Sequence, residues 1–478
     1  MRWIYQFIFI NEERILLLLR EVVVAGLRPA TTKPLVGTIS TQCKKRGAPM
    51  TVNSWRLAGS LLLVLTFAFG CKAKDDAVRV AVFTSDVETI KILNKAMREV
   101  ESRHPGLKIV LANIPYNDFQ NKITTMMAAG NAPDVVSTEA NNFVDLYLRG
   151  AFEDLTDLAK RDGVNPKDYY ETVMKRYSPG GKIFALPTDI APFGLVYYNK
   201  KIFDEVGLPY PTSSWKWPEP LLSICQKLVK KDASGKTIRW AWADPYNIAG
   251  EPFVFSNGGY FTNSEDDPTL LTLDSPRCME AFRFRWDMIH TYHVSPTRSQ
   301  IESFNFGPGA ETMFANGQIA MMPSGIWHTP NFLQHKDLSF DVVEFPWGPH
   351  KTRGWGTGGS GYAMTKGSKK KEEAWIVIKE LAGEAIESQI TATGLVQPAL
   401  IKVAKSDVFL KSPGPANKKI LLEMPKEAHF GPFLKGWNEI WYGQVGPAMD
   451  PVWAGDKTPE HVLPKLVKEL NKKYFNVK

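Results

Sequence analysis

Along residues 78–136 the apolar positions change period in a regular way. Residues 78–83 are apolar except for Arg79, which predicts a strand. Ile90, Leu93, Met97 and Val100 then fall on one stripe at helical spacing, so 90–101 reads as a helix. Thr84, Ser85 and Asp86 stand just before it as capping candidates. Pro105 and Gly106 break that helix, 107–111 return to an extended pattern, 118–129 are helical up to Gly130, and 132–136 form a third strand. Strand, helix, strand, helix, strand calls for parallel pairing with helices covering the sheet, an α/β fold.

The alternation continues. Residues 143–149 and 154–159 are expected as helices, 183–186 as extended, 195–198 as a strand, and 200–206 and 215–231 as helices. Ser275 before Pro276 opens a helix to about residue 289. A helix ending at Gly317 precedes a strand over 319–322, and further helices are expected over 370–381 and 465–470. No repeat of about 20–50 residues is visible.

Composition narrows the class. The chain has 478 residues, 44% hydrophobic and 12% aromatic, which excludes a disordered protein and allows two or three domains. Lys and Arg number 58 against 50 Asp and Glu, a net charge of +8 that suggests anionic partners. Nine basic and three acidic residues lie in 1–70, however, so the remainder carries only +2. If the leading segment is removed, most of the case for a nucleic-acid partner goes with it.

That segment has the marks of export. Arg56 precedes an uncharged apolar run from Leu57 to Gly70, too short to span a bilayer at about 14 residues, and Cys71 follows. The stop before Cys71 resembles the lipobox of bacterial lipoproteins, which implies lipidation of Cys71. Ala68, where Leu is usual, and Phe69, larger than usual, depart from that pattern. Met50 gives a signal peptide of ordinary length over 50–70. Residues 1–49 are expected to be an upstream extension absent from the mature protein, and 71–76 the lipidated residue and its linker. Cys225 and Cys278 both fall in helical patterns, where two separate buried thiols are expected over a disulfide.

Four segments resemble one family, the extracellular solute-binding proteins of the sugar-binding type (family 1), of which maltodextrin-binding proteins are members. They are Tyr-Asn-Asp-Phe-Gln-Asn-Lys at 116–122 with Ala-Ala-Gly-Asn-Ala-Pro-Asp-Val-Val at 128–136; Gly-Lys-Ile-Phe-Ala-Leu-Pro at 181–187 with 195–207; Phe-Ala-Asn-Gly-Gln-Ile-Ala-Met-Met at 314–322 with Trp327; and Glu-Glu-Ala-Trp at 372–375. The resemblance implies a type II, two-lobe periplasmic-binding-protein-like fold. It further implies sugar capture in the cleft by hinge closure, and delivery to the permease of an ABC importer by a lipid-anchored, extracytoplasmic monomer. Carried over by motif, the chain crosses between lobes near Thr138, Gly358 and Pro398. One lobe would then be 77–138 with 359–400, and the other 139–358 with 401–478.

Sugar recognition needs aromatic faces against pyranose C–H groups and fixed polar groups for hydroxyls. The aromatic candidates are Trp327 after the 319–322 strand, Trp355 beside the second crossing, and Trp242 near Asp244. The polar candidates sit at strand ends, where α/β sheets bind ligands: Ser85, Asp86, Glu139, Asn142 and Asp189. Gly356, Gly358 and Gly361 form a G-x-G-x-x-G pattern, but an extended run follows instead of a helix. They are read as a glycine-rich hinge, with Gly358 and Gly359 approaching the ligand.

No metal or cofactor is expected. His290 and His293 share a helix face without a third ligand. The rival class is a secreted carbohydrate-active enzyme, which would need two carboxyls about 5–10 Å apart, and no motif marks such a pair. The same fold with a ligand such as glycerol phosphate would want a cation in the cleft, for which Arg353 is the candidate.

Overall fold

The computed structural model describes residues 76–84, 86–243, 250–302 and 309–477. The export segment with Cys71, and the candidates Ser85 and Asp244, lie outside them.

Fourteen strands run through the described residues. β1 (Val78–Val82), β2 (Ile109–Asn113) and β3 (Val135–Glu139) form the expected parallel unit, with β1 in the middle. β4 (Ala185–Pro187) joins this sheet later, β5 (Asp189–Pro192) follows, and β6 (Leu195–Asn199) begins a second sheet. β7 (Lys230–Lys231), β8 (Thr237–Trp242), β9 (Ile319–Ser324) and β10 (Phe340–Glu344) complete that sheet in the order β10-β6-β9-β8-β7. β11 (Trp355–Gly358), β12 (Ser360–Met364), β13 (Gln397–Pro398) and β14 (Ala428–His429) close the list. β12 enters the first sheet, giving β2-β1-β3-β12-β4, while β13-β5-β11-β14 form a small third sheet.

Each large sheet has its own core. The first buries Val80, Val82, Val135 and Val136 against Leu93, Met97, Val100, Phe143 and Trp375 on covering helices. The second buries Val196, Tyr197, Ala241, Met321 and Met322 against Phe203, Phe253, Phe314 and a set of tryptophans. Each buried aliphatic or Phe side chain contributes about 1.5–3 kcal/mol, which makes two independent lobes affordable.

The third sheet is the hinge. β5 pairs with β11 and β13, so the strands of three chain crossings lie side by side. Crossings near Gly358 and Pro398 fit this sheet. The crossing expected near Thr138 does not lie there: Phe143, Val144, Leu146, Tyr177, Ala185 and Ile190 all pack in the first core, and the first buried residue of the second is Leu195. The reason is that the helix Ala140–Leu148 folds back onto the sheet it has just left, and β4 pairs with β12. The first lobe thus extends to about residue 190.

The helix expected over 215–231 is confined to Leu221–Leu228, because Pro218 and Pro220 cannot supply the amide hydrogens of a helix interior, and Lys230–Lys231 pair as β7. Cys225 and Cys278 are buried and unpaired. Gly356, Gly358 and Gly361 lie in β11 and β12, with no helix opening between them.

Candidate functional site

The ends of β1 and β3, the hinge, and the end of β9 converge. Glu139 is the last residue of β3 and caps the helix Ala140–Leu148. Its carboxylate accepts the N–H groups of Asn141 at 3.0 Å and Asn142 at 3.2 Å, and the Asn141 side-chain amide at 3.1 Å. Burial pushes its pKa up to about 7, while those N–H groups and Arg176 pull the other way. Asp189 opens the hinge strand β5. Its Oδ1 accepts the Ser360 N–H at 3.1 Å, and burial raises its pKa to about 6.

Gly358 lies between Glu139 and the second lobe. A Cβ placed there would sit 3.1 Å from Glu139 Oε1 and 3.1 Å from Phe193 Cζ, so a bare backbone is what lets the carboxyl and the ring both approach the hinge strand at this point. Gly359 has φ +151°, and a Cβ there would lie 2.7 Å from the Asp189 carbonyl oxygen. Phe193 in turn meets Trp327 edge to face, ring centroids 5.6 Å apart. Trp327 lies in the short helical turn Ile326–His328 after β9, and is partly buried. Glu139, Gly358, Phe193 and Trp327 therefore form a continuous line from the first lobe through the hinge to the second.

Two exposed tyrosines flank this line. Tyr116, 53% exposed, starts the helix Tyr116–Ala128 and packs edgewise on Phe83, centroids 5.4 Å apart. Tyr442, 61% exposed, lies on the π-helical turn Trp441–Val445 of the second lobe. Glu139 and Tyr442 are both close enough to act electrostatically on the Tyr116 hydroxyl. Exposed rings on opposing lobes, beside a carboxyl and a Trp, can hold a polyhydroxylated ring by its faces and its hydroxyls.

Other candidates are placed differently. Trp242 and Trp355 are both 0% exposed in the second core. Trp242 packs on Phe253 and Phe345, and the Trp355 indole N–H donates to the Met424 carbonyl at 3.1 Å. Neither has a face to offer, because each ring fills space behind the sheet. Asp86 caps the helix Val87–Arg103, accepting from the Thr89 N–H at 2.7 Å and hydroxyl at 2.6 Å. Asn142 accepts from the Asn438 amide at 2.6 Å, a bond between the helix Ala140–Leu148 and the helix Trp437–Ile440. Arg353 is bound to Glu427 at 2.7 Å and lies over the rings of Trp347 and Trp355. His290 donates from Nε2 to the Trp453 carbonyl, 3.3 Å away.

Tyr116, Phe193, Tyr442 and Arg176 were not among the sequence candidates. Tyr116 carried a usable signal, an aromatic at the helix start after β2. Phe193 lies with Gly194 in a two-residue link between strands, and the π turn that carries Tyr442 has no sequence period to reveal it.

The pattern of the family of bacterial extracellular solute-binding proteins matches residues 85–387. A multiple sugar-binding protein of Streptococcus mutans is 23% identical over 73% of this chain and 82% of its own length. An ABC substrate-binding protein of Listeria monocytogenes, solved in complex with cycloalternan, is 25% identical. It covers 84% of this chain and 99% of its own, with a TM-score of 0.74. A solute-binding protein from Thermotoga lettingae bound to α-D-tagatose is similar in fold, with a TM-score of 0.69 at 19% identity, covering 83% of this chain and 99% of its own.

Proposed function

The chain belongs to the family of bacterial extracellular solute-binding proteins, and from that premise we propose that it captures a sugar or oligosaccharide between its lobes and delivers it to the permease of an ABC importer. The observation that carries this reading is the line Glu139–Gly358–Phe193–Trp327, which joins a hydroxyl-accepting carboxyl of one lobe to an aromatic platform of the other across the hinge. The relatives solved with cycloalternan and tagatose support carbohydrate as the ligand class. Ligand contacts from both lobes favour the closed arrangement, so binding energy drives closure. Glu139, Trp327, Tyr116 and Tyr442 are the proposed contacts. Gly358 and Gly359 let the hinge backbone approach, and Asp189 fixes the second crossing through Ser360.

The family is one of binding proteins, and the mechanism needs stoichiometric capture without turnover. We assign residues 50–70 as a signal peptide and Cys71 as the lipidated anchor of an extracytoplasmic monomer. In that case Cys71→Ser moves the protein from the membrane fraction to the soluble one. Thermal unfolding against a panel of mono- and oligosaccharides tests the ligand class. A sugar present at about a hundred times its dissociation constant stabilises by about 2.7 kcal/mol. A flat panel overturns carbohydrate as the ligand, and consumption of the sugar during the assay favours the enzyme.

A further inference from the structure

Beneath Glu139 lies a buried cation. Arg176, in the helix Glu171–Arg176, is 5% exposed; its Nε donates to the Ala140 carbonyl at 3.1 Å, one residue after Glu139. Its guanidinium faces the rings of Phe430 at 5.1 Å and Phe433 at 5.4 Å. Those rings belong to a strap that returns from the second-lobe part of the chain. The strap is held by Glu265, whose side chain accepts the Phe430 N–H at 3.1 Å and whose carbonyl accepts the Phe433 N–H at 2.6 Å. The acids acting on Arg176 are Glu265 first, from the second-lobe side, and then Glu139, from the first.

We infer that Arg176 is a positioning residue that shifts the cleft carboxyl Glu139 toward its ionised, hydroxyl-accepting form, and that Glu265 offsets part of that effect. The physical argument is the sum of opposing fields at Glu139. Arg176 is shielded from water by two rings, so its field reaches the nearby carboxyls with little screening. A carboxyl in a cleft lined by Phe193, Trp327 and Gly358 tends to keep its proton, and a cation behind it opposes that. Glu265, on the other side of Arg176, adds a negative field that cancels part of the positive one. Without Glu265 the net field at Glu139 is more positive; without Arg176 the cation's part of it is gone. The ionised form matters because a carboxylate accepts hydrogen bonds at both oxygens, whereas the acid gives up one of them as a donor.

Other groups share this environment. Tyr116, Tyr177 and Asp189 face Glu139, and Tyr177 and Asp266 also act on Arg176. His429 Nδ1 lies 3.4 Å from Glu265, and Lys175, paired with Asp266 at 2.7 Å, also feels Glu265. Tyr116, Tyr177 and Lys175 keep one charge state through neutral pH. Asp189 is therefore the group whose own titration must be separated from that of Glu139.

This inference rests on the reading of Glu139 as a ligand contact, but its test needs no ligand. The protein is labelled with 13C at the Glu side-chain carboxyls, and the Glu139 signal, assigned by its loss in Glu139→Gln, is titrated. Arg176→Gln is expected to move the Glu139 midpoint upward by about one pH unit or more, and Arg176→Lys to restore part of it. Glu265→Gln keeps an oxygen for the Phe430 N–H and is expected to move the midpoint downward. Opposite shifts are what a charge mechanism requires; a packing role would move both variants alike or neither. An unchanged midpoint in Arg176→Gln, or an upward shift in Glu265→Gln, overturns the inference. If Arg176→Gln does not fold, the sign of the Glu265→Gln shift alone decides. The function reading fails separately, by a flat sugar panel on the unmodified protein.

Discussion

The two lobes solve the same packing problem with different side chains. The first core contains one buried tryptophan, Trp375, among aliphatic residues set between a regular sheet and long helices such as Val87–Arg103 and Lys371–Leu381. The second contains seven: Trp215, Trp217, Trp240, Trp242, Trp355, Trp437 and Trp441. They pack against neighbouring rings, as in the edge-to-face contacts of Trp217 with Phe253 and Trp242 with Phe345. There the large rings fill volume that Leu and Val cannot reach. A tryptophan count in a sugar-binding sequence can therefore report how one lobe packs and not how many platforms face the ligand. What separates the two uses is position: Trp327 comes after its strand has ended, whereas Trp242 closes β8 and Trp355 opens β11.

The sharpest way to break this comparison is to truncate the rings. Trp242→Ala and Trp355→Ala each empty a fully buried site and are expected to cost about 3–5 kcal/mol in denaturant unfolding. Trp375→Ala should cost a similar amount, though it leaves the aromatic network of the second lobe intact. A Trp242→Ala protein of near-native stability that has lost sugar binding would place that ring in the cleft and reverse the assignment.

Both lobes bury acids: Glu139, Asp189 and Glu387 in the first lobe and its hinge, and Glu311 in the second. Glu387 is 2% exposed. Its Oε1 accepts the N–H groups of Ala399 at 2.7 Å and Leu400 at 3.1 Å, pinning the third crossing just after β13. Burial raises its pKa from the ordinary 4.5 to about 9. The folded state thus holds a proton that the unfolded chain has released. This stability is complete below about pH 4.5 and is lost as pH rises toward 9, by up to about 1.4 kcal/mol per unit. Asp189 and Glu139 slope the same way but are spent by about pH 6 and 7. Glu387→Gln keeps the acceptor oxygen and removes the titration. Its melting temperature should exceed that of the parent near pH 8 and converge with it near pH 5. Parallel curves across that range would show that Glu387 does not hold its proton.

How far the sequence led can be judged from the same elements. The period switches over 78–136 gave the parallel unit of the first sheet, because a buried strand and an amphipathic helix leave different repeats. The motifs then pointed to two lobes, and Gly358 and Pro398, where two crossings were expected, end strands of the hinge sheet. The first crossing was misplaced by about fifty residues. Nothing in the pattern of 140–187 says which of two sheets its apolar faces will cover; that is decided by long-range packing of Phe143 and Tyr177. The proposed site was legible where it followed strand ends, at Glu139 and Trp327. It was hidden where it depended on a link such as Phe193, a π turn such as that of Tyr442, or a charge approaching from another helix, as with Arg176.

A smaller effect sharpens the contrast between ring and core. Trp327→Ala removes a partly buried ring whose recorded ring contacts are with Phe193 and His328. A stability loss of about 1–2 kcal/mol is expected, well below that of the core tryptophans. Affinity for the sugar found by the panel should fall tenfold or more, since a stacked ring contributes about 0.5–1.5 kcal/mol beyond the area it covers. Calorimetric titration of the parent and Trp327→Ala proteins checks the affinity, and denaturant unfolding of the same two proteins checks the stability. Equal affinities would move the platform to Tyr116 and Tyr442.

The smallest effect concerns Asp86, where a capping role and a ligand role can be separated. One carboxylate oxygen, Oδ2, accepts both the N–H and the hydroxyl of Thr89. The Asp86 N–H donates to Thr84 Oγ1 at 3.0 Å, so the turn is tied from both sides. Asp86→Ala removes the cap and should cost about 1 kcal/mol, while Asp86→Ser, which keeps an acceptor for the first turn, should recover most of that. Serine cannot, however, replace the second carboxylate oxygen. If Asp86→Ser is stable and binds sugar like the parent, the residue serves only the helix. If it is stable and binds several-fold more weakly, the second oxygen reaches the ligand, and the first lobe contributes two strand-end carboxylates, at β1 and β3, against the rings of Trp327 and Tyr442 proposed for the second lobe.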